Sequence, residues 1–357
     1  MIPILEFDKV SVDYRLARSV RGMRSVRVVR DVSFSIGQEE TFALVGESGS
    51  GKSTLARAAL RLLPASTGRV LLDGEDIARL RGPALRSMRR RVMMVFQDPY
   101  SSLDPSMTIG DSIAEPLRVH RVVTPGDARR RVGELLETVG LSASYATRYP
   151  HEFSGGQRQR IAIARALGSE PDLLVCDEAV SALDVSTQNQ IVTLIARLRD
   201  RMGMACLFIT HDLALVRHVA DRVGVMYLGP VVEAAATEDL FTHPGHPYTT
   251  ALLSAIPVAN PILQRERVRL RIAGEIPDPA NPPAGCGFNT RCPFAEEVCF
   301  TDRSELGVDG VACHFPGIAR DSLPTAVPTA LPSDPLPSDP LPSDPLPSDQ
   351  VTKKETQ

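Results

Sequence analysis

No stretch of apolar residues comes near the roughly 18 consecutive positions that a membrane-spanning helix needs, so the chain is not expected to cross a bilayer by itself. An excess of charge of one sign is missing too. Lysine and arginine number 40 against 43 aspartates and glutamates, a formal net charge of −3. The last 42 residues, 316–357, hold three basic and six acidic side chains, which leaves 37 of each sign in residues 1–315. A polyanion binder that works by bulk charge is markedly basic, so that class is excluded, although a local phosphate site is not. Met1–Lys9 carries Glu6 and Asp8 where a secretory leader would place basic and then apolar residues, which predicts an intracellular protein that docks on any membrane it serves. Cysteine is scarce at six, yet Cys286, Cys292, Cys299 and Cys313 crowd into 28 residues. In a reducing compartment such crowding points to metal ligation before disulfides.

A length of 357 residues suggests two domains at about 150 residues each, and 43% hydrophobic residues suffice for a sizeable core. Thr41–Val45, Leu173–Asp177, Ala205–Thr210 and Val223–Tyr227 are short apolar runs bounded by glycine or charge, the pattern of buried strands. Between the second and third, Ile191, Leu194, Ile195 and Leu198 share one face of a helix. Strand–helix–strand repetition predicts an α/β fold with parallel strands over residues 1–255, with a mostly helical subdomain inserted at about 98–168. Beyond 255 the texture changes: Pro257, Pro261, Pro277, Pro279, Pro282 and Pro283 forbid a long helix, and the cysteines follow, so 256–316 reads as a small separate extension. Leu-Pro-Ser-Asp then recurs from 331, 336, 341 and 346, and 10 of the 29 prolines lie in 316–357. Such a composition cannot bury a core, and 317–357 is expected to be a disordered, solvated spacer.

Gly46-Glu47-Ser48-Gly49-Ser50-Gly51-Lys52-Ser53 fits the phosphate-loop pattern G-x-x-x-x-G-K-[ST], between a predicted strand and the helical run Thr54–Leu63, which Pro64 would end. The glycines let successive backbone N–H groups surround phosphate oxygens at a helix N-terminus; Lys52 adds a point charge and the Ser53 hydroxyl a ligand for Mg²⁺. Leu173–Asp177 ends in two carboxylates. Asp177 is placed to hold Mg²⁺ through water, and Glu178 to accept a proton from, or orient, the attacking water.

Ser154-Gly155-Gly156-Gln157, followed by Arg-Gln-Arg, resembles the signature of ATP-binding cassette (ABC) ATPases. The resemblance implies a P-loop ABC nucleotide-binding domain, a mixed-sheet core with a helical subdomain, in which the signature loop of one subunit caps the γ-phosphate held by the other. It further implies that Tyr14 stacks on adenine, that Gln97 in Val95-Phe-Gln-Asp-Pro99 reaches Mg²⁺, that Asp184 in Ser181-Ala-Leu-Asp184 lies in a loop crossing the dimer interface, and that His211 contacts the γ-phosphate. Two positions depart from the commoner family pattern: Phe153 stands for Leu, and Ala179 for the Pro after the catalytic Glu.

Tyr149–Arg160 and His246-Pro-Tyr-Thr-Thr-Ala-Leu-Leu-Ser-Ala-Ile-Pro257 resemble the oligopeptide, dipeptide and nickel importer ATPases over about 5–316, and Glu178–Asp184 resembles the second of their two ATPase subunits. That resemblance implies a peripheral protein on the cytoplasmic face of the cell membrane. Its partners would be a second, homologous ATPase, two membrane permeases and an extracytoplasmic substrate-binding protein, with no nucleic acid. A soluble ABC ATPase acting on ribosomes or DNA, or an exporter motor, is the alternative; one signature, no sustained heptads and a neutral body argue against the first. The spacing C-x5-C-x6-C-x13-C leaves an iron–sulfur cluster, zinc or metal-free thiols open. Residues 281–294 are similar to the C-terminal extension of peptide-importer ATPases, which can hold a [4Fe–4S] cluster, and this implies a structural or regulatory cluster on the four cysteines.

Overall fold

The computed structural model describes residues 2–15, 25–124, 126–257, 265 and 269–322. The Leu-Pro-Ser-Asp repeats lie outside these, as do residues 16–24 after Tyr14. Strand β1 (Leu5–Arg15) buries Leu5 and Phe7 by simple alternation. Lys9 then takes φ +49°, and the register against β2 (Ser25–Ile36) slips between Phe7 and Val10, so that Val10 and Val12 return to the core face. A bulge there preserves a buried face along an eleven-residue strand. After β3 (Thr41–Val45) and helix α1 (Lys52–Ala59), strands β4 (Thr67–Leu72) and β5 (Glu75–Asp76) complete an antiparallel sheet of order β2-β1-β4-β5.

Helix α2 (Gly82–Arg91) runs directly into β6 (Val92–Val95), and the helical insertion follows as α3 (Pro99–Ser102), α4 (Ile109–Val119), α5 (Ala128–Thr138) and α6 (Gly155–Leu167). The chain returns through β7 (Leu173–Asp177), α7 (Val185–Met202), β8 (Ala205–Thr210), α8 (Leu213–Val219), β9 (Arg222–Met226) and β10 (Val231–Ala236). The second sheet has the order β10-β9-β3-β8-β7-β6, parallel except for β10. All four predicted strands are present, the last shifted by one residue. Parallel strands are covered on both faces and so read as continuous apolar runs; every residue of β3, β7 and β8 is buried.

The predicted helix Thr54–Leu63 ends earlier. Arg61 adopts φ +52°, its N–H bonds to Ala58 O at 2.9 Å, and the N–H of Leu62 returns to Arg57 O at 2.8 Å. This is a Schellman closure with arginine where glycine is usual, and it terminates α1 before Pro64 can.

Two short helices, α9 (Thr237–Thr242) and α10 (Pro247–Ala255), lead into the extension. The extension is seated on the free edge of β10: Ala234 N–H donates to Gly310 O and Ala312 N–H to Val232 O, both at 2.8 Å. Phe288 is fully buried against Tyr227, Tyr248 and His246, with ring centroids 5.2, 5.5 and 5.7 Å away. Gly285 takes φ +68° because a Cβ there would lie 2.4 Å from Cys299 O. Past a turn at Glu297–Thr301 (α11), Ile318–Ser322 (α12) forms a short helix with Ala319 buried, and Gly317 N–H bonds Gly245 O at 2.7 Å. Ordered packing thus runs six residues beyond 316, where the tail was expected to begin.

Candidate nucleotide site

Strands β3, β8 and β7 are adjacent, and register aligns their ends: Val45 pairs with Thr210, and Asp177 with Ile209. The phosphate loop, His211 and the carboxylates Asp177 and Glu178 therefore leave the same edge of the sheet, the crevice where open α/β sheets bind ligands. Gly46 has φ +149°, and a Cβ there would lie 2.2 Å from Met226 O, so the loop can leave β3 only with glycine in that place. Helix α1 begins at Gly51 with no capping side chain and no acid in its first turn, so its first N–H groups remain free for an anion.

Lys52 is 4% exposed. Its Nζ donates to Gly46 O at 2.8 Å, Glu47 O at 2.9 Å and Ser50 Oγ at 3.5 Å. Burial lowers its pKa, and Glu178, Asp177 and Glu47 oppose that shift. Ser53 Oγ donates to Asp177 Oδ1 at 2.7 Å. The Asp177 carboxyl is held above its usual range, chiefly by burial, against the Ser53 hydrogen bond. A hydroxyl and a carboxylate joined across two elements, with a buried acid needing a cation, fit Mg²⁺. Glu178 sits at φ +46°, and its N–H donates to Ile209 O at 2.9 Å. Its Oε2 accepts from Gln97 Nε2 at 3.0 Å, and its Oε1 lies 3.7 Å from His211 Nδ1. A non-glycine residue in the left-handed region costs about 1–3 kcal/mol, and such strain clusters at working sites.

Tyr14 reaches the same place: its hydroxyl is 3.4 Å from Thr54 Oγ1 in the first turn of α1. The signature residues form a different surface. Ser154 and Gln157 make a capping box on α6, with Gln157 N–H donating to Ser154 Oγ at 3.4 Å and Ser154 N–H to Gln157 Oε1 at 3.1 Å. Gly155 and Gly156 face Leu183 and Thr187. Asp184 caps α7, accepting from the N–H and hydroxyl of Thr187 at 3.0 and 2.8 Å. The structure thus gathers the loop, Asp177, Glu178, Gln97, His211 and Tyr14, and gathers the signature separately with Asp184. Ser48 and Gly49 complete the loop between them as exposed, unobstructed positions.

Comparison with known proteins agrees with this geometry. Residues 29–181 match the ABC transporter family model, and residues 232–299 match the model for the C-terminal region of oligopeptide and dipeptide transporters. The chain is 48% identical over 300 residues to the oligopeptide transport ATP-binding protein AppF of Bacillus subtilis, covering 83% of this chain and 91% of that one. The chain belongs to the ABC transporter family. Among solved structures it resembles the ADP- and phosphate-bound dimer of the ATP-binding cassette MJ0796, with TM-score 0.58, 28% identity and 65% and 98% of the two chains covered. It likewise resembles cbiO1 of Clostridium perfringens, with TM-score 0.58, 28% identity and coverage of 68% and 91%. This member of the family is an ATPase, and no helix among its described residues is long and apolar enough to cross a membrane.

The second family region carries Cys286, Cys292 and Cys299, and Cys313 follows 14 residues after its end. They line one cavity of about 20 Å³ together with His246, Phe288, Phe294 and Phe315. Backbone N–H groups bond the sulfurs of Cys286, Cys292 and Cys313, that of Phe315 reaching Cys313 Sγ at 3.4 Å. Burial, and then the neighbouring thiols, push Cys292 and Cys313 up to about 11. The cavity has room for about one water molecule and not for a four-iron cluster. Among the described residues no group of three or more His, Cys, Asp or Glu side chains is spaced to hold a metal ion. The expected iron–sulfur cluster, and zinc as its alternative, are thus not supported by the arrangement. The sequence places the four thiols near one another but does not show how small the cavity between them is.

One functional contact escaped the sequence entirely. Arg291, in the extension, forms a two-pronged ion pair with Glu47 of the phosphate loop, at 2.9 and 3.2 Å.

Proposed function

We propose that the chain is the ATP-hydrolysing motor of a peptide importer, bound at the cytoplasmic face of the cell membrane to two permeases and a homologous ATPase, and fed by an extracytoplasmic substrate-binding protein. The observation that carries the ATPase site is the convergence of Lys52, the Ser53–Asp177 pair and the Gln97–Glu178–His211 group on neighbouring strand ends. Lys52 and the α1 N-terminus bind the phosphates; Mg²⁺ held by Ser53 and Asp177, with Gln97, supplies charge neutralisation when bound. Glu178 takes the proton of the attacking water, and His211 lies beside it where the γ-phosphate would end. Peptide as cargo rests on the naming of the Bacillus relative and on the second family region. ATPase activity of the assembled transporter in vesicles, stimulated by a peptide-loaded binding protein and not by a nickel-loaded one, tests the cargo.

A groove beside β6, of about 370 Å³ with Leu62, Phe96 and Val119 half-exposed on it, supports permease docking between the sheet and the helical insertion. The exposed capping box at Ser154 supports action in trans. Gly155 is the better position to test, since a Cβ there has ordinary contacts, whereas one at Gly156 would lie 2.6 Å from Thr187 Cγ2. Where two copies pair, mixing Lys52→Ala chains with Gly155→Asp chains is expected to restore ATPase activity that neither has alone. With a homologous partner, the same holds when that partner's matching loop is altered. Activity that needs both motifs intact in one chain rejects the head-to-tail pair.

The four cysteines would hold a [4Fe–4S] cluster only after the thiols move outward from the cavity of about 20 Å³ that they line, and this reading rests on four cysteines crowded into 28 residues. Anaerobically purified protein is then expected to be brown, with about four irons and four acid-labile sulfides per chain. Cys292→Ser should bleach it. Colourless anaerobic protein rejects the cluster; stoichiometric zinc in it selects zinc, and neither metal selects free thiols.

A further inference from the structure

Two segments outside the cassette motifs meet at one phosphate-loop residue. Arg291 donates from both guanidinium ends to Glu47, and from Nη1 also to Tyr227 Oη at 3.2 Å. Tyr248, in the helix after His246-Pro, accepts the Glu47 backbone N–H on its hydroxyl at 3.0 Å. The two tyrosines are buried, and the Arg291 and Glu47 side chains are 8% and 27% exposed. The pair raises the Arg291 pKa further, chiefly through Glu47, so its charge is permanent. A fork-shaped cation on a carboxylate fixes both position and orientation, and here it fixes the second residue of the loop.

The charge matters beyond geometry. The Glu47 carbonyl accepts from Lys52 Nζ at 2.9 Å, so the carboxylate is carried by a residue that lines the phosphate cradle. Left bare, that carboxylate would repel a triphosphate; paired with Arg291, it repels it less. We propose that Arg291 is a positioning residue of the nucleotide site: it holds and neutralises Glu47, so that ATP binding depends on how the cysteine-bearing extension is seated. The link is short in sequence as well as space, because Cys292 follows Arg291 directly and both N–H groups bond Phe288 O, at 3.0 and 2.9 Å. This rests on the phosphate-loop reading of residues 46–53.

The test is equilibrium ATP binding by the full-length chain. Arg291→Ala is expected to weaken ATP about tenfold, the scale of exposing one partner of a partly buried pair. Arg291→Lys, which keeps charge and loses the fork, should fall between. Glu47→Gln added to Arg291→Ala should recover most of the loss, since the repelling charge is gone. The Arg291→Ala defect should also shrink in high salt, as a charge effect does. A purely structural role would give neither the rescue nor the salt dependence. Wild-type affinity in Arg291→Ala overturns the inference, and so does a loss that Glu47→Gln leaves untouched. If Lys52→Ala also binds ATP normally, the phosphate-loop reading itself has failed; if Lys52→Ala abolishes binding while Arg291→Ala does not, only the Arg291 inference has.

Discussion

Lys52→Ala is expected to lower ATP affinity by about 2–5 kcal/mol, roughly 30-fold to several-thousand-fold, because a buried, hydrogen-bonded cation then disappears from opposite the phosphates. The side chain is already held for the task. Gly46 O, Glu47 O and Ser50 Oγ fix the ammonium inside the loop, so little side-chain entropy remains to be lost on binding. Burial acts against the charged form, but Glu178, Asp177 and Glu47 favour it. Alanine removes a buried positive charge set near three carboxylates, and an incoming triphosphate would then meet a more negative site. The measurement pairs ATP binding with thermal unfolding. Saturating ATP at about 100 times its dissociation constant stabilises a folded protein by about 2.7 kcal/mol, so wild type should melt higher with ATP and the variant should not. A variant that melts normally without nucleotide, yet gains as much from ATP as wild type, rejects the assignment of Lys52.

The parts of this site that were legible in sequence are those that are contiguous. Residues 46–53 form one loop, and buried parallel strands such as Leu173–Asp177 announce themselves as unbroken apolar runs. The resemblance implies a mixed-sheet core, but the strands of the antiparallel sheet are not legible one by one, because the bulge at Lys9 shifts the alternation of β1. In the mostly parallel sheet, four-residue β6 is hidden because it follows α2 without a break. The end of α1 was misplaced by the same kind of local exception, an arginine doing the work of glycine at Arg61. Strand order is silent in sequence, yet it is strand order that sets His211 beside Glu178. Arg291 and Glu47 stand 244 positions apart, and each alone reads as an ordinary surface charge. The seating of the extension, with Phe288 packed on Tyr227 and Tyr248, brings them together.

Glu178→Gln is expected to slow hydrolysis by about 10²–10⁴-fold, the usual cost of losing a general base, while ATP binding is retained. Three features single out this carboxylate from Asp177 beside it. Its backbone is strained at φ +46° and held there by bonds from its N–H to Ile209 O and from Ser181 N–H to its own carbonyl, at 2.9 and 3.0 Å. Its side chain is 15% exposed, within reach of water, whereas Asp177 is 3% exposed and already accepts from Ser53. One oxygen accepts from Gln97, leaving the other directed toward His211. An amide has the same shape and can still offer its oxygen to Gln97, but it cannot take a proton at neutral pH. Removing a negative charge near Lys52 should, if anything, favour the bound triphosphate. An ATP-loaded dimer is therefore expected to accumulate, visible as a shift in native size on adding ATP, with phosphate release near background. Ala179, where Pro is commoner in the family, leaves this geometry intact and is itself buried. Each composite site of a mixed pair must be measured separately, since an unaltered second site would carry its own turnover. Phosphate release at the wild-type rate from the altered site would assign the proton to another group, with His211, 3.7 Å away, the first to be tested.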